Sequence, residues 1–141
     1  MTPARDLSLH SYRSLAEFRH QIRKFLRYSE ESARAHGIEP QQHQLLLAIK
    51  GLPPGKLPTI SELADRLQIR HHSAVELINR LAARGDIVRE SASDDRREVL
   101  IRLTPSGDRT LRALTLEHRN ELRKFAPQLM TALEAITKGN D

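Results

Sequence analysis

The chain has no cysteine, and that absence removes disulfide frameworks, thiol redox switches, thiol catalysis and any Cys-based zinc site. Reduced cytosol is the expected setting. Long hydrophobic runs are missing too. The opening MTPARDLSLHSYRS holds no apolar stretch of signal-peptide length, and nowhere does a run reach membrane-spanning length. A soluble, cytoplasmic protein with no membrane contact is the expectation. The signatures of common enzyme classes are absent: no G-x-S-x-G, no H-E-x-x-H, no Walker A and no dinucleotide fingerprint. Glu30 and Glu31 are adjacent, so on a helix they cannot face each other as a catalytic pair. Neither catalysis nor a cofactor is expected.

What remains is 141 residues, 38% of them hydrophobic, enough for one domain of ordinary size or a small domain with long helical extensions. A balance of 23 Lys+Arg against 18 Asp+Glu gives +5 and favours nucleic acid as a partner, but the distribution qualifies that inference. Residues 60–103 carry eight basic and eight acidic side chains, whereas 1–59 carry nine against five. Arginine outnumbers lysine 18 to 5, however, and its planar fork suits bidentate contacts to phosphate and guanine.

The organising stretch is Arg70 to Arg84, RHHSAVELINRLAAR. Ala74, Leu77, Ile78 and Leu81 recur at i, i+3, i+4 and i+7, which places them on one face of a helix. Arg70, His71, His72, Ser73, Val75, Glu76, Asn79 and Arg80 project the other way, and nearly all can exchange hydrogen bonds. Upstream, Thr59-Ile-Ser-Glu62 has the form of a capping box, with Thr59 as N-cap and Glu62 reaching back. Ile60, Leu63, Ala64 and Leu67 follow at helical spacing. Two short amphipathic helices joined by a few residues are the sequence form of a helix-turn-helix, whose second helix enters a major groove. Gly85 then suits a helix end, and Ile87-Val88-Arg89 and Val99 to Leu103 flank a polar stretch as a hairpin, that is, a wing.

Toward the N-terminus, Ser14 to His36 reads as a long helix opened by a second capping box, Ser14 and Glu17, with Leu15, Phe18, Ile22, Phe25, Leu26 and Ala33 along one stripe. Its opposite face carries Arg13, His20, Arg23, Lys24, Arg27 and Arg34. That face is either solvated surface or, in part, an anion-accepting pocket or a track for DNA backbone. Pro40 starts another helix with Leu45, Leu46 and Ile49 apolar, and Leu52-Pro-Pro-Gly-Lys-Leu-Pro58 forces a loop that leads into Thr59. Beyond the hairpin, Thr104-Pro105-Ser106 opens a helix to about Phe125 with Leu111, Leu114, His118, Leu122 and Phe125 along one side. Ala126-Pro127 marks a break before a last short helix, Gln128 to Ile136. The terminal helices have no obvious partner within the central module, so they are expected to bury one another across a two-fold axis. A homodimer suits DNA, because two recognition helices about one turn apart read a pseudo-palindrome.

The order of these elements, with TISELADRL, LINRLAARGDIVR and SDDRREVLIRLTPSG, resembles the MarR family of bacterial transcription regulators over about residues 12–138. The resemblance implies a mainly α fold with a small β-hairpin wing, a winged helix-turn-helix whose N- and C-terminal helices form a dimerisation region. The expected divisions are 1–37 for the N-terminal dimerisation helix, 38–103 for the DNA-binding region and 104–141 for the C-terminal dimerisation helices. It also implies that Arg97 at the wing tip enters the minor groove, with Asp95 bracing it and Arg96 near the backbone; a narrow A/T-rich groove concentrates negative potential that attracts arginine. Arg70, His71, His72, Ser73, Val75 and Glu76 are implied to read the major groove, with Arg80 toward the phosphates and Thr59 and Ser61 completing the DNA-facing set. Glu76 departs from the family pattern, in which a basic residue is common. A carboxylate there either accepts from a cytosine amino group or orients a neighbouring arginine.

Each assignment has an alternative. Arg96 and Arg97 could simply be neutralised by Asp94 and Asp95 in a polar hairpin. His71 and His72 could bind metal, but adjacent helical residues point about 100° apart and cannot both face one ion. His20, His43 and His118, with Arg27, are candidates to line an effector cavity for a small aromatic or anionic molecule, the kind of site the resemblance implies. Otherwise these histidines are half-buried helix residues with satisfied ring nitrogens. The implied function is a repressor that binds double-stranded DNA and is released by an effector. The competing function is a winged-helix architectural or protein-docking module without ligand control, and stabilisation by small aromatic acids separates the two.

Overall fold

The computed structural model describes residues 7–92 and 95–138, and the side chains at 92 and 95–97 lie outside what it describes. Five helices and one hairpin follow in order: α1 (Leu9–Ala35), α2 (Pro40–Lys50), α3 (Ile60–Leu67), α4 (His71–Arg84), β1 (Ile87–Ala92), β2 (Asp95–Leu103) and α5 (Pro105–Thr137). The chain divides into two compact units, Ala33–Thr115 and the pair Met1–Ser32 with Leu116–Asp141.

The unit Ala33–Thr115 is built on a core in which Ile38, Leu45, Leu46, Leu63, Ile78, Leu81, Ile87, Ile101 and Leu114 are fully buried. Pro40 starts α2 where its missing N–H is harmless, and Glu39 and Gln42 form a reciprocal capping box. Thr59 caps α3 by accepting from Glu62 N at 3.1 Å. Glu62 does not reach back as its spacing suggests. Its carboxylate takes Arg66 Nε at 3.2 Å instead, a charged partner four residues on being the better one for it.

Gln68 ends α3 in the left-handed region at φ 54, with its side-chain Nε2 donating to Asp65 O at 2.7 Å. Asparagine and glycine tolerate that region best, and this local bond helps offset the strain for glutamine. The antiparallel hairpin pairs Ile87 with Leu103 through Ser91 with Val99, then shifts register before Ala92 pairs with Asp95. A third rung is added by the loop before α3: Thr59 bridges Leu100, and Ile101 N donates to Pro58 O at 2.9 Å. The hairpin's root is latched to the start of α5, where Thr104 N donates to Asp86 O (3.0 Å) and Thr104 Oγ1 to Gly85 O (2.6 Å).

The other unit contains most of α1 and the later part of α5. Helix α1 begins at Leu9, not at Ser14. Ser8 accepts from Ser11 N at 3.3 Å, while Ser14 is buried inside the helix beside His10 Nε2, and Glu17 bonds Gln21 Nε2 at 2.7 Å. The Ser14/Glu17 pair has the spacing of a cap but lies within the helix, with Ser14 buried and Glu17 exposed. Nor is there a break at Pro127: α5 is one helix of 33 residues with that proline inside it. The missing N–H and the ring clash cost about 3 kcal/mol. Phe125, Leu129, Ala132 and Ile136 keep an uninterrupted covered stripe past the proline, and their packing holds the helix together. Between the helices, His118 Nε2 lies 2.8 Å from Ser29 Oγ, Ser32 Oγ donates to Glu117 Oε2 at 2.8 Å, and Phe25 and Tyr28 meet the His118 ring edge-on. The Tyr28 phenol is pushed above its ordinary pKa by burial first and then by the charges of Glu117 and Glu121. Among the described residues no helix is long and apolar enough to cross a membrane.

Candidate nucleic-acid interface

Helix α4 buries Ala74, Leu77, Ile78 and Leu81, the four residues whose spacing marks its inner face. Its other side carries the expected DNA-reading set. Arg70, His71, His72, Glu76 and Arg80 are exposed, and Ser73 and Val75 are half-buried at the edge of the packed face. Arg70 is the N-cap, in extended conformation and without a side-chain cap bond. The first-turn N–H groups of α4 are therefore left to outside acceptors, which favours an anion there. Of the two residues named at α3, Ser61 is exposed, and half-buried Thr59 has its hydroxyl oxygen engaged as a cap. That hydroxyl can still donate its own hydrogen.

The ion pairs sort the charges of this region. Arg66 is held by Glu62, Arg84 by buried Asp86 at 2.9 Å, and Arg102 by Glu90 at 3.4 Å. Arg70 and Arg80 make no hydrogen bond or ion pair through their side chains to any described residue. Equal counts of acid and base thus conceal a face on which two arginines stand uncommitted. Glu76 also lacks an ion pair with Arg80 four residues on, so it does not orient that arginine among the described residues.

One contact carries no local signal. Arg89 on β1 donates through Nη2 to Asn79 Oδ1 on α4, which ties the hairpin to the recognition helix. Asn79, counted from its helical position among the outward polar residues, is thus committed within the fold. The backbone of Asp95, Arg96 and Arg97 belongs to β2. Their side chains, on which the minor-groove expectation rests, lie outside the described residues.

The four residues nominated for an effector cavity fall in different units, His118 lying with His20 and Arg27 and held against Ser29. His20 and Arg27 are exposed on α1, Arg27 being paired with Glu31 at 3.1 Å. His43 is 2% exposed in the core of the other unit, with Nδ1 3.5 Å from Gln44 Nε2. Among the described residues neither unit by itself brings all four together.

Comparison with known proteins agrees with this architecture. Residues 36–98 match the model of the MarR family. A curated relative from Thauera aromatica, a putative transcriptional regulatory protein for the hcr operon, is 26% identical over 114 residues, covering 81% of this chain and 67% of that protein. Among solved structures, AbsC, a MarR family transcriptional regulator from Streptomyces coelicolor, superposes with a TM-score of 0.73 at 20% identity, over 93% of this chain and 91% of that one. A Staphylococcus aureus MepR mutant bound to an oligodeoxyribonucleotide gives 0.65 at 22% identity, over 88% and 86%. Wild-type MarR from E. coli in its apo form gives 0.67 at 21%, over 95% and 98%. Fold and site together define a winged helix-turn-helix protein. Over residues 36–98 the sequence matches the MarR family model, and the fold is the one shared by the solved MarR family transcription regulators.

Proposed function

We propose that the chain binds duplex DNA sequence-specifically as a homodimer, reading a pseudo-palindromic operator with α4 of each copy. It represses by occluding a promoter until a small aromatic or anionic effector releases it. The observation that carries this is the uncommitted outer face of α4: Arg70, His71, His72, Glu76 and Arg80 are exposed around an uncapped helix start. The DNA-bound MepR mutant, which shares the fold, supports the same use of the module here.

In this reading Arg70, His71, His72, Ser73 and Val75 meet base edges, Arg80 meets phosphate, and Ser61 and Thr59 lie near the backbone. Glu76, paired with no arginine among the described residues, accepts from a cytosine amino group. Arg97 enters the minor groove at the wing, braced by Asp95, with Arg96 at the backbone. The dimer is supported by apolar side chains left exposed on the terminal helices, including Tyr12 at 61%, Leu26 at 50% and Met130 at 60%. Two such faces bury one another across a two-fold axis and set two α4 helices about one helical turn apart. An effector that favours a different spacing lowers operator affinity by its differential affinity for the two states.

Selection from a random duplex pool tests this directly. A pseudo-palindrome with half-site centres about 10 bp apart is expected. Arg97→Ala should cost about 1–3 kcal/mol, and Arg80→Ala should weaken all duplexes alike and reduce the salt slope by about one. No enriched sequence, with both variants binding like wild type, would make the chain a protein-docking module instead.

A further inference from the structure

The first turns of α1 and the last turns of α5 line an open cleft of about 500 Å³, of a size that suits a small ligand. Neither DNA reading nor the apolar stripes uses it. Its α5 wall is Pro127, Ala132 and Ala135, whose small side chains leave the space open, with Gln128 and Thr131 beside them, and its α1 wall carries His10, Arg13, Ser14 and Glu17. Arg13 and Glu17 lie four residues apart on one helix face, the spacing at which opposite charges ordinarily pair. They do not pair. The Arg13 side chain has no hydrogen bond or ion pair to any described residue. Glu17 accepts one bond, from Gln21 Nε2 to Oε1 at 2.7 Å, which leaves Oε2 for another donor.

We propose that this cleft binds an apolar α-amino acid as its zwitterion: Arg13 takes the carboxylate, Glu17 takes the ammonium, and the side chain rests on Pro127, Ala132 and Ala135. The guanidinium fork receives a carboxylate through two parallel bonds. A ligand with only an anionic head is repelled by Glu17, and one with only a cationic head by Arg13, so the rim selects a molecule carrying both.

The cleft also lies on the correct side of the helices to remain open. Residues two apart on a helix point about 160° from each other. Arg13 precedes exposed Leu15 by two positions, and Thr131 precedes exposed Leu133 by two. On that side the cleft opens away from Leu15 and Leu133, and burying those two against a second copy leaves it accessible; this step rests on the dimer proposed above.

Calorimetric titration of the full chain with L-leucine and L-phenylalanine tests the assignment, beside N-acetyl-L-phenylalanine, which lacks the ammonium, and L-phenylalaninamide, which lacks the carboxylate. Saturable binding of the free amino acids is expected, with each blocked analogue weaker by about tenfold or more. Arg13→Gln and Glu17→Gln should each lose a similar factor, and Thr131→Leu, at an exposed rim position, should crowd the cleft and weaken binding while circular dichroism stays unchanged. No heat and no thermal shift with either amino acid at millimolar concentration overturns the proposal. Equal binding of the blocked analogues, or binding indifferent to Arg13→Gln and Thr131→Leu, overturns it as well. Light scattering and titration with the selected duplex on the same preparations keep its failure distinct from failure of the dimer or of DNA binding.

Discussion

Replacing Gly107 by alanine should destabilise the protein, reversing the sign that the substitution has in most helices. Alanine ordinarily improves on glycine in a helix by about 0.5–1 kcal/mol. At Gly107, in the first turn of α5, a Cβ would lie 2.1 Å from Asp86 O, 3.0 Å from Asp86 C and 3.2 Å from Asp86 Cα. Real Cβ atoms essentially never approach another heavy atom within 3.0 Å, so the backbone must part. Asp86 is poorly placed to yield: its N donates to Leu81 O at 3.1 Å, its O accepts from Thr104 N at 3.0 Å, and its carboxylate holds Arg84 at 2.9 Å. Separation therefore strains the latch between the hairpin root and α5. Overpacking of this kind costs about 1–3 kcal/mol, and contact with backbone rather than a flexible side chain points to the upper end. For a domain of this size that is a fall in Tm on the order of 10 °C. Thermal and urea unfolding followed by circular dichroism measure it, with Ser106→Ala, exposed in the same turn, as the control near zero. An alanine variant as stable as wild type, or more so, would falsify the close approach on which the reasoning rests.

Thr59→Ala should cost about 1 kcal/mol through loss of the α3 cap, and Thr59→Ser should recover most of it in the same urea titrations. Arg89→Ala should change global stability by less than about 1 kcal/mol, because its bond to Asn79 is exposed, yet speed amide exchange in β1; unchanged exchange would mean the contact does not anchor the hairpin. Tyr28 binds its proton more tightly when folded, so its contribution is present below about pH 10, the unfolded value, and is lost as pH rises through the higher folded value. Tyr28→Phe should therefore flatten the stability decline above pH 10 relative to wild type, and parallel curves for the two proteins would refute the raised phenol.

Which features could be read from the sequence depends on the range of the contact behind each. Helix α4 was legible because all four of its buried residues and its polar face lie within one fifteen-residue window, and Gly85 at φ 84 ends the helix where a left-handed residue is needed. Ser14 and Glu17 show how a local motif misleads: a serine three residues before a glutamate has the same spacing whether it opens a helix or is buried within one, and only the packing against it decides. Pro127 misleads in the opposite sense, since a cost of about 3 kcal/mol ends an isolated helix but not one held by a covered stripe on both sides. The Thr59–Leu100 bridge, the Arg89–Asn79 tie and the approach of Gly107 to Asp86 join residues ten or more apart, and no window of periodicity contains them.

Charge gives the sharpest instance, because the formal balance of residues 60–103 argues against a nucleic-acid surface until the pairs are located. Glu62, Asp86 and Glu90 each neutralise an arginine, and Arg70 and Arg80 are left on the outer face of α4. Only charge left unneutralised at the surface attracts a phosphate backbone, because a paired arginine must give up its carboxylate before it displaces a counterion. A single-residue exchange at an internal pair, such as Glu62→Gln, should therefore strengthen non-specific DNA binding by freeing Arg66, although it touches no base. Salt-dependent titration on a random duplex reads this as a steeper slope than wild type, and an unchanged slope would mean that Arg66 does not reach the phosphates.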